Sequence, residues 1–282
     1  MPPLPHVPGY DLLRPLGGGP LTEVFAARRH ADDRPCAVKL PREVWPGHTT
    51  AVRLLRREYR ALRAVRHPHV VRLLDAHVTD PPYFLALEFL AGETLRDRLQ
   101  RDYALDLRTT AWVARQTAEA LAALHRAGFV HGDVKPENVR LSDAGTAVLV
   151  DLGFTHRPGE NGVFADDGYV LGTANYLAPE LCGDDPRDGP AADWFSFGVT
   201  LFETLTGTLP YPRGPVAEML EQRRQDVAAE ALTAVARSWP PRLTGLLEGL
   251  LARQPAARPP DALVVHELIA LEIAALGLRR AG

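Results

Sequence analysis

The chain has 282 residues, 46% of them hydrophobic and 24% charged, with a formal net charge of −3 at pH 7. That length supplies ample core for one large domain or two small lobes, and the composition is that of an ordinary globular protein. So weak a negative charge leaves no electrostatic footprint for nucleic acid or an anionic membrane, and neither is expected as a partner. The two cysteines, Cys36 and Cys182, stand far apart and in no metal-ligand spacing. This speaks against a disulfide framework and for a reducing, cytoplasmic setting. The first residues, MPPLPHVPGY, carry neither a basic start nor an apolar run, so a signal peptide is not expected. The most apolar tail, residues 262–278, is interrupted by His266, Glu267 and Glu272 and reads as an amphipathic helix, not a membrane span. Arginine far outnumbers lysine, a bias associated with GC-rich bacterial genomes.

In chain order, residues 1–9 are proline-rich and are expected to form an irregular arm. Residues 10–29 read as two strands around the turn Leu16-Gly17-Gly18-Gly19-Pro20-Leu21-Thr22-Glu23-Val24-Phe25. Such a turn lets backbone N–H groups approach a phosphate, because no Cβ intervenes. Pro35-Cys36-Ala37-Val38-Lys39-Leu40 is a short apolar strand carrying a lysine near its end. Leu54, Leu55, Leu62 and Val65 then fall at helical spacing, with Glu58 on their inner side. A carboxylate on a buried face needs a partner, and Lys39 can supply it. Residues 70–76 and 83–88 read as two further strands, and Gly92 opens a helix that Thr94 caps. A long helical pattern over 108–127 stops at Gly128. Residues 139–150 have an apolar hairpin pattern, 193–206 an apolar helix buried all round, and the last helices run roughly over 216–224, 241–252 and 261–276. There is no internal repeat and no low-complexity linker.

Around the hairpin stand His131-Gly132-Asp133-Val134-Lys135-Pro136-Glu137-Asn138 and Asp151-Leu152-Gly153. Two acids, an amide and a lysine at this spacing are what phosphoryl transfer to a hydroxyl requires. One carboxylate orients the hydroxyl, the lysine steadies the charge on the moving group, and the amide and second carboxylate hold metal ions. The stretch resembles the catalytic loop and metal-binding turn of protein kinases. Further blocks match that family in the same order: Gly17, Gly19 and Val24 of the glycine-rich turn, Lys39 and Glu58, Gly172-Thr173-Ala174-Asn175-Tyr176-Leu177-Ala178-Pro179-Glu180, the 193–198 segment and Arg258. Within the family the chain is most similar to bacterial serine/threonine kinases related to the eukaryotic ones.

The resemblance implies an α+β, two-lobed protein kinase fold over residues 10–275. Its small lobe (10–88) holds a five-stranded antiparallel sheet and one main helix, a hinge spans 88–92, and the large lobe (93–275) is mainly helical. ATP and Mg²⁺ are the implied cofactors, and a protein with a Ser or Thr acceptor is the implied substrate. By the same carry-over Asp133 orients the hydroxyl, Lys135 contacts the γ-phosphate, and Asn138 and Asp151 bind Mg²⁺. Lys39, paired with Glu58, holds the α- and β-phosphates. Leu16, Gly17, Gly18 and Gly19 cover the nucleotide, while Val24 and Ala37 cover its adenine ring. Leu87 closes the back of the pocket, and Glu88 and Leu90 offer it backbone groups. Thr173 reaches the catalytic Asp and Lys and favours Ser/Thr over Tyr acceptors. His131 is structural, Asp193 accepts backbone hydrogen bonds from the catalytic loop, and Glu180 pairs with Arg258.

Three positions depart from the family pattern. Thr22 replaces the third glycine of the turn. Arg140 stands where an apolar residue usually floors the adenine pocket, with its aliphatic stem able to lie under the ring. Gly132 replaces an arginine that in many kinases pairs with a phosphate on the activation segment. Residues 156–172 contain no Ser or Thr, and Thr155, Tyr169 and Thr173 are the only hydroxyls between Phe154 and Asn175. This pattern implies an enzyme that needs no activation-loop phosphorylation. Two other readings share these residues. A scaffold that binds nucleotide or a partner without turnover is favoured by Thr22, Gly132 and Arg140, and opposed by the intact Lys39, Glu58, Asp133, Asn138 and Asp151. A small-molecule phosphotransferase of the aminoglycoside type is not expected to carry GTANYLAPE with a paired Arg258.

Overall fold

Alternation along the first strands divides the small lobe into two faces. The computed structural model describes residues 4–42, 48–143, 145–161, 173–182, 188–211, 214, 218–219, 221, 228–235 and 238–277. Strands β1 (Tyr10–Gly18), β2 (Thr22–Arg29), β3 (Pro35–Pro41), β4 (Leu73–His77) and β5 (Phe84–Glu88) form an antiparallel sheet in the order β1-β2-β3-β5-β4. Val24 pairs with Lys39, Ala37 with Leu87, and Lys39 with Leu85, so these side chains share one face. Phe25, Cys36, Val38, Phe84 and Ala86 take the other face and pack into a separate cluster with Tyr10 and Val7. Residues 4–9 contain no helix or strand, yet Val7 is buried and bridges to Tyr10, so this part of the expected arm is anchored to the lobe.

Helix α1 (His48–Ala64) lays its apolar side against the first face, where Leu55 and Leu62 meet Leu85 and Leu87 in the main core. The strand expected over 70–76 starts only at Leu73. Val70 and Val71 are diverted to Leu149 of the large lobe, Val70 through a parallel bridge and the Val71 N–H through a 3.0 Å bond to the Leu149 carbonyl. The main core therefore runs without a break between the lobes.

In the large lobe, β6 (Gly92–Thr94), β7 (Val139–Ser142) and β8 (Thr146–Leu149) form a three-stranded sheet, so the expected hairpin gains a third strand from Gly92 onward. Thr94 ends that strand and caps α2 (Leu95–Asp102) in a reciprocal capping box with Asp97, an arrangement worth about 1 kcal/mol. Helix α3 (Leu107–Arg126) and helix α4 (Pro190–Thr206) are buried along most of their length. Around them pack α5 (Ala228–Val235), α6 (Pro241–Leu250) and α7 (Asp261–Gly277). Helix α5 has no counterpart in the sequence reading, and the helix expected over 216–224 lies largely outside the described residues. Cys36 and Cys182 are both buried, and neither takes part in a disulfide among the described residues. Among the described residues no helix is long and apolar enough to cross a membrane.

Candidate active site

A cleft of about 400 Å³ opens between the sheet and the large lobe, within the range of small-molecule sites. Leu16, Gly17, Gly18, Gly19, Val24 and Ala37 line it from the small lobe, with Lys39 and Glu58. Leu87, Glu88 and Leu90 line it along the connector, and Lys135, Asn138, Arg140 and Asp151 from the large lobe. Asp133 and Thr173 do not line the cleft itself; Lys135 does, and it contacts both. Val71, Phe89, Thr94, Glu137 and Val150 also line it and were not singled out from the sequence. Phe89 and Glu137 sit inside the hinge and catalytic-loop segments already read, whereas Val71 is tied to Leu149 and Val150 to Asn138 by backbone bonds that one segment does not reveal. The glycine turn is shaped by Gly18, whose φ is 151° and whose added Cβ would stand 2.3 Å from the Thr22 carbonyl. At Gly19 an added Cβ would meet nothing, which leaves space on that side of the turn.

At the inner end, the Lys39 ammonium donates to Glu58 Oε2 and to Asp151 Oδ1, each at 2.6 Å. Lys39 and Glu58 are almost completely buried, while the Asp151 side chain is 46% exposed. Burial alone would lower the pKa of Lys39, but Asp151 and Glu58 outweigh it and hold the ammonium above its usual value. Burial pushes the Glu58 carboxyl up against the pull of Lys39. Burial acts in the same sense on Asp151, where Lys39 prevails and keeps the pKa below the usual carboxylate range. Asp151 also has φ of 57°, a left-handed backbone uncommon outside glycine and a frequent mark of functional positions.

The catalytic-loop residues form a second, touching group. The Thr173 hydroxyl donates to Asp133 Oδ1 at 2.8 Å and accepts from the Lys135 ammonium at 2.7 Å. Lys135 Nζ also stands 2.6 Å from Asp133 Oδ2, and the Asn138 amide donates to that same oxygen at 3.1 Å. The Val150 N–H bonds to the Asn138 carbonyl at 2.8 Å, which sets Asn138 beside the Asp151 turn. Behind the loop, buried Asp193 accepts the His131 and Gly132 N–H groups at 2.7 and 2.9 Å. His125, buried on α3, bridges Asp193 and Asp261 at 2.9 and 3.0 Å. Burial would lower the pKa of His125, but the two carboxylates raise it to about 9. His131 is fully buried, its Nδ1 receives the Asp133 N–H at 3.2 Å, and burial lowers its pKa. Its Nε2 has no hydrogen-bond partner among the described residues, so its role here is packing.

Thr173 is held through the next turn. The Tyr176 N–H bonds to the Thr173 carbonyl at 2.8 Å, and the Tyr176 hydroxyl donates to buried Glu203 at 2.6 Å. Arg96 of α2 binds both oxygens of Glu203, at 2.9 and 3.1 Å, and Glu137 at 2.8 Å. Further along, Glu180 receives Arg258 in a two-point pair of 2.5 and 2.7 Å. Arg96 and Glu203 carry no motif of their own and were invisible in the sequence.

A third network joins α1 to the segment after Gly153. Buried Arg57 donates to Asn161 Oδ1 at 2.8 Å and to the Glu160 carbonyl at 2.6 Å. Arg60 grips both Glu160 carboxylate oxygens, at 3.1 and 2.8 Å. The Asn161 amide is 2.9 Å from Nε2 of the His156 ring. Gly132 has φ of 79°, and an added Cβ would stand 3.0 Å from the Phe154 carbonyl and 3.3 Å from that ring. Tyr169 lies outside the described residues.

For a cation, the site offers hard oxygen donors. Asp151 Oδ1 is taken by Lys39, but no bond to Oδ2 or to Asn138 Oδ1 occurs among the described residues. No group of three His, Cys, Asp or Glu side chains suited to a metal exists there either. Two protein oxygens beside a cleft fit a small divalent ion that draws its other ligands from phosphates and water.

Residues 10–269 match the family model described as the protein kinase domain. The serine/threonine-protein kinase PknL of Mycobacterium tuberculosis is 35% identical over 245 residues, 86% of this chain and 61% of that protein. The probable serine/threonine-protein kinase pknA2 of Bifidobacterium longum is 30% identical over 262 residues, 92% of this chain and 34% of its own length. PrkC of Bacillus subtilis, a serine/threonine-protein kinase, is 27% identical over 253 residues, 89% and 38% of the two chains. The chain thus spans between about a third and three-fifths of the length of these relatives.

Proposed function

This chain belongs to the protein kinase family, and from that premise we propose that it transfers the γ-phosphoryl group of ATP to Ser or Thr hydroxyls of protein substrates. Residues 10–275 act as the catalytic domain. The observation that carries this reading is the convergence of Lys39, Glu58 and Asp151 with Asp133, Lys135, Asn138 and Thr173, distant in the sequence, on one cleft edge. The names of the relatives agree with it.

In this reading Val24 and Ala37 cover the adenine, Leu87 closes the pocket, and Glu88 and Leu90 meet the base through main-chain groups. Leu16 and Gly17 to Gly19 lie over the phosphates, and Lys39, held in place by Glu58, orients them. Asp133 accepts the hydrogen bond of the incoming Ser or Thr hydroxyl and takes its proton. Lys135 stays beside the transferred group as negative charge moves across it, and Thr173 keeps Asp133 and Lys135 in register. Asn138 and Asp151 are the residues that would hold Mg²⁺, which when bound with ATP neutralises phosphate charge. Most of the rate enhancement then comes from positioning and preorganised charge.

The reading extends to regulation: turnover needs no phosphate on the activation segment. Gly132 offers no receptor for one, and the Arg57 and Arg60 contacts to Glu160 and Asn161 supply an ordering interaction that uses fixed side-chain charges. A radiolabelled ATP assay on a generic basic protein tests both parts. Wild type should incorporate phosphate on Ser or Thr, and Asp133→Asn should lose it by about 10²–10⁴-fold. Mass spectrometry of the active protein should show residues 154–175 unmodified. Incorporation that is equal in Asp133→Asn, or activity that depends on a modified residue in that segment, overturns the corresponding part.

A further inference from the structure

The large-lobe side of the cleft carries an arginine whose position the transfer chemistry does not explain. Arg140 lies on β7 opposite Thr94 and lines the cleft, while its guanidinium turns to the connector. Its Nε donates to the Leu90 carbonyl at 2.6 Å and its Nη2 to the Gly92 carbonyl at 2.7 Å. Burial lowers its pKa, but a guanidinium stays charged at any physiological pH. A planar fork bound to two carbonyls two residues apart is a rigid brace, since Arg presents several N–H groups in fixed directions.

We propose that Arg140 determines nucleobase specificity by withdrawing the Leu90 carbonyl from the set of hinge groups a base can use. The inference rests on the reading above, in which Glu88 and Leu90 meet adenine through the main chain. There the 6-amino group donates to the Glu88 carbonyl and N1 accepts from the Leu90 N–H. The purine atom beyond N1 is C2, so a substituent at C2 points toward the next connector acceptor, the Leu90 carbonyl. Left free, that oxygen would reward an amino group at C2 with a further hydrogen bond. Braced by Arg140, that oxygen has one lone pair already taken, and the approaching amino group meets the guanidinium N–H donors beside what remains of the acceptor. The cleft therefore selects purines with hydrogen at C2 and rejects 2-aminopurines, including those that keep the 6-amino group. A side chain from the floor thus edits the choices of a main-chain edge.

The experiment compares KM for ATP with KM for 2-aminoadenosine triphosphate, which differs only at C2. Wild type should disfavour the 2-amino nucleotide by about 3–10-fold, the range of one lost or blocked hydrogen bond. Arg140→Leu frees the Leu90 carbonyl and should bring the ratio to one or invert it. Arg140→Lys should behave as Arg140→Leu does, because a single ammonium cannot span both carbonyls with the same fork. The wild-type ratio is informative even where a variant folds poorly, and thermal melts identify such a variant. Equal KM values in wild type, or a ratio unchanged in Arg140→Leu or preserved in Arg140→Lys, overturn the inference. If wild type uses neither nucleotide, the kinase reading itself fails, which is a distinct outcome.

Discussion

The two ends of the cleft are built on different rules. At the end that the proposed reading gives to the phosphates, the polar side chains are matched to one another: Lys39 by Glu58 and Asp151, Asp133 by Lys135, Asn138 and Thr173. At the end it gives to the base, Val24, Ala37 and Leu87 make an apolar lining and the polar groups offered are main-chain ones, with Glu88 and Arg140 the charged residues beside them. Charges brought together in a dry place tolerate no substitution, because each removal strands its partner. Main-chain recognition leaves side chains free to change so long as the space is kept. The contrast fits the departures at Thr22 and Arg140, both of which line the cleft, whereas the third, Gly132, stands next to Asp133 and gives its backbone N–H to Asp193.

The sharpest way to break the comparison is Lys39→Met. It leaves Glu58 and Asp151 facing each other without a cation and should cost about 3–5 kcal/mol of stability or force one carboxylate to protonate. Urea unfolding should show the loss, and phosphate incorporation should fall to background.

The next test concerns the support behind the phosphate end. His125 has its pKa raised to about 9 in the folded protein, against 6.5 as its ordinary value. Its contribution is complete below pH 6.5, declines as pH rises through that interval, and is gone above pH 9. A shift of this size corresponds to something on the order of 3 kcal/mol. The urea midpoint of wild type should drop between pH 6.5 and 9.5, and His125→Gln should flatten that part of the profile.

At the base end, Ala37→Met should cost less and in a different parameter. The added bulk enters the cleft roof, and overpacking of about 1–3 kcal/mol raises KM for ATP by about 5–150-fold while the protein stays folded. If kcat at saturating ATP falls by as much as KM rises, the two ends are not separable.

The smallest effect is expected at Glu160→Gln, which removes a partly exposed charge pair with Arg60. Such pairs are worth under about 1 kcal/mol, so the activity should drop no more than about fivefold. A complete loss would place far more weight on the α1 contact than its geometry supports.

What was legible in the sequence follows the same division. The two-lobed fold was implied by the resemblance to protein kinases, which the glycine turn, the Lys39 strand, the Glu58 helix and the catalytic loop carry. Helix α5 and the boundary of β4 could not. The first lies among small apolar residues without a clear stripe, and the second depends on Val70 and Val71 leaving their neighbours for Leu149, a distant partner. The resemblance predicted where Asp193 would bind, but nothing local announced His125 or Asp261 as its supports. Arg96 and Glu203 illustrate the same limit, since a lone arginine and a lone glutamate 107 positions apart signal nothing until the fold joins them. The sequence suggested where the aliphatic stem of Arg140 could lie, but the binding of its guanidinium to two connector carbonyls depends on how β6 pairs with β7, and one chain segment cannot report that.

Position 132 carries a historical implication. Its backbone is left-handed, and a Cβ there would stand 3.0 Å from the Phe154 carbonyl and 3.3 Å from the His156 ring, closer than side chains ordinarily pack. A larger residue there would carry the strain of the positive φ and press on both groups, so exchange between glycine and arginine at this position requires the Phe154–His156 segment to adjust with it.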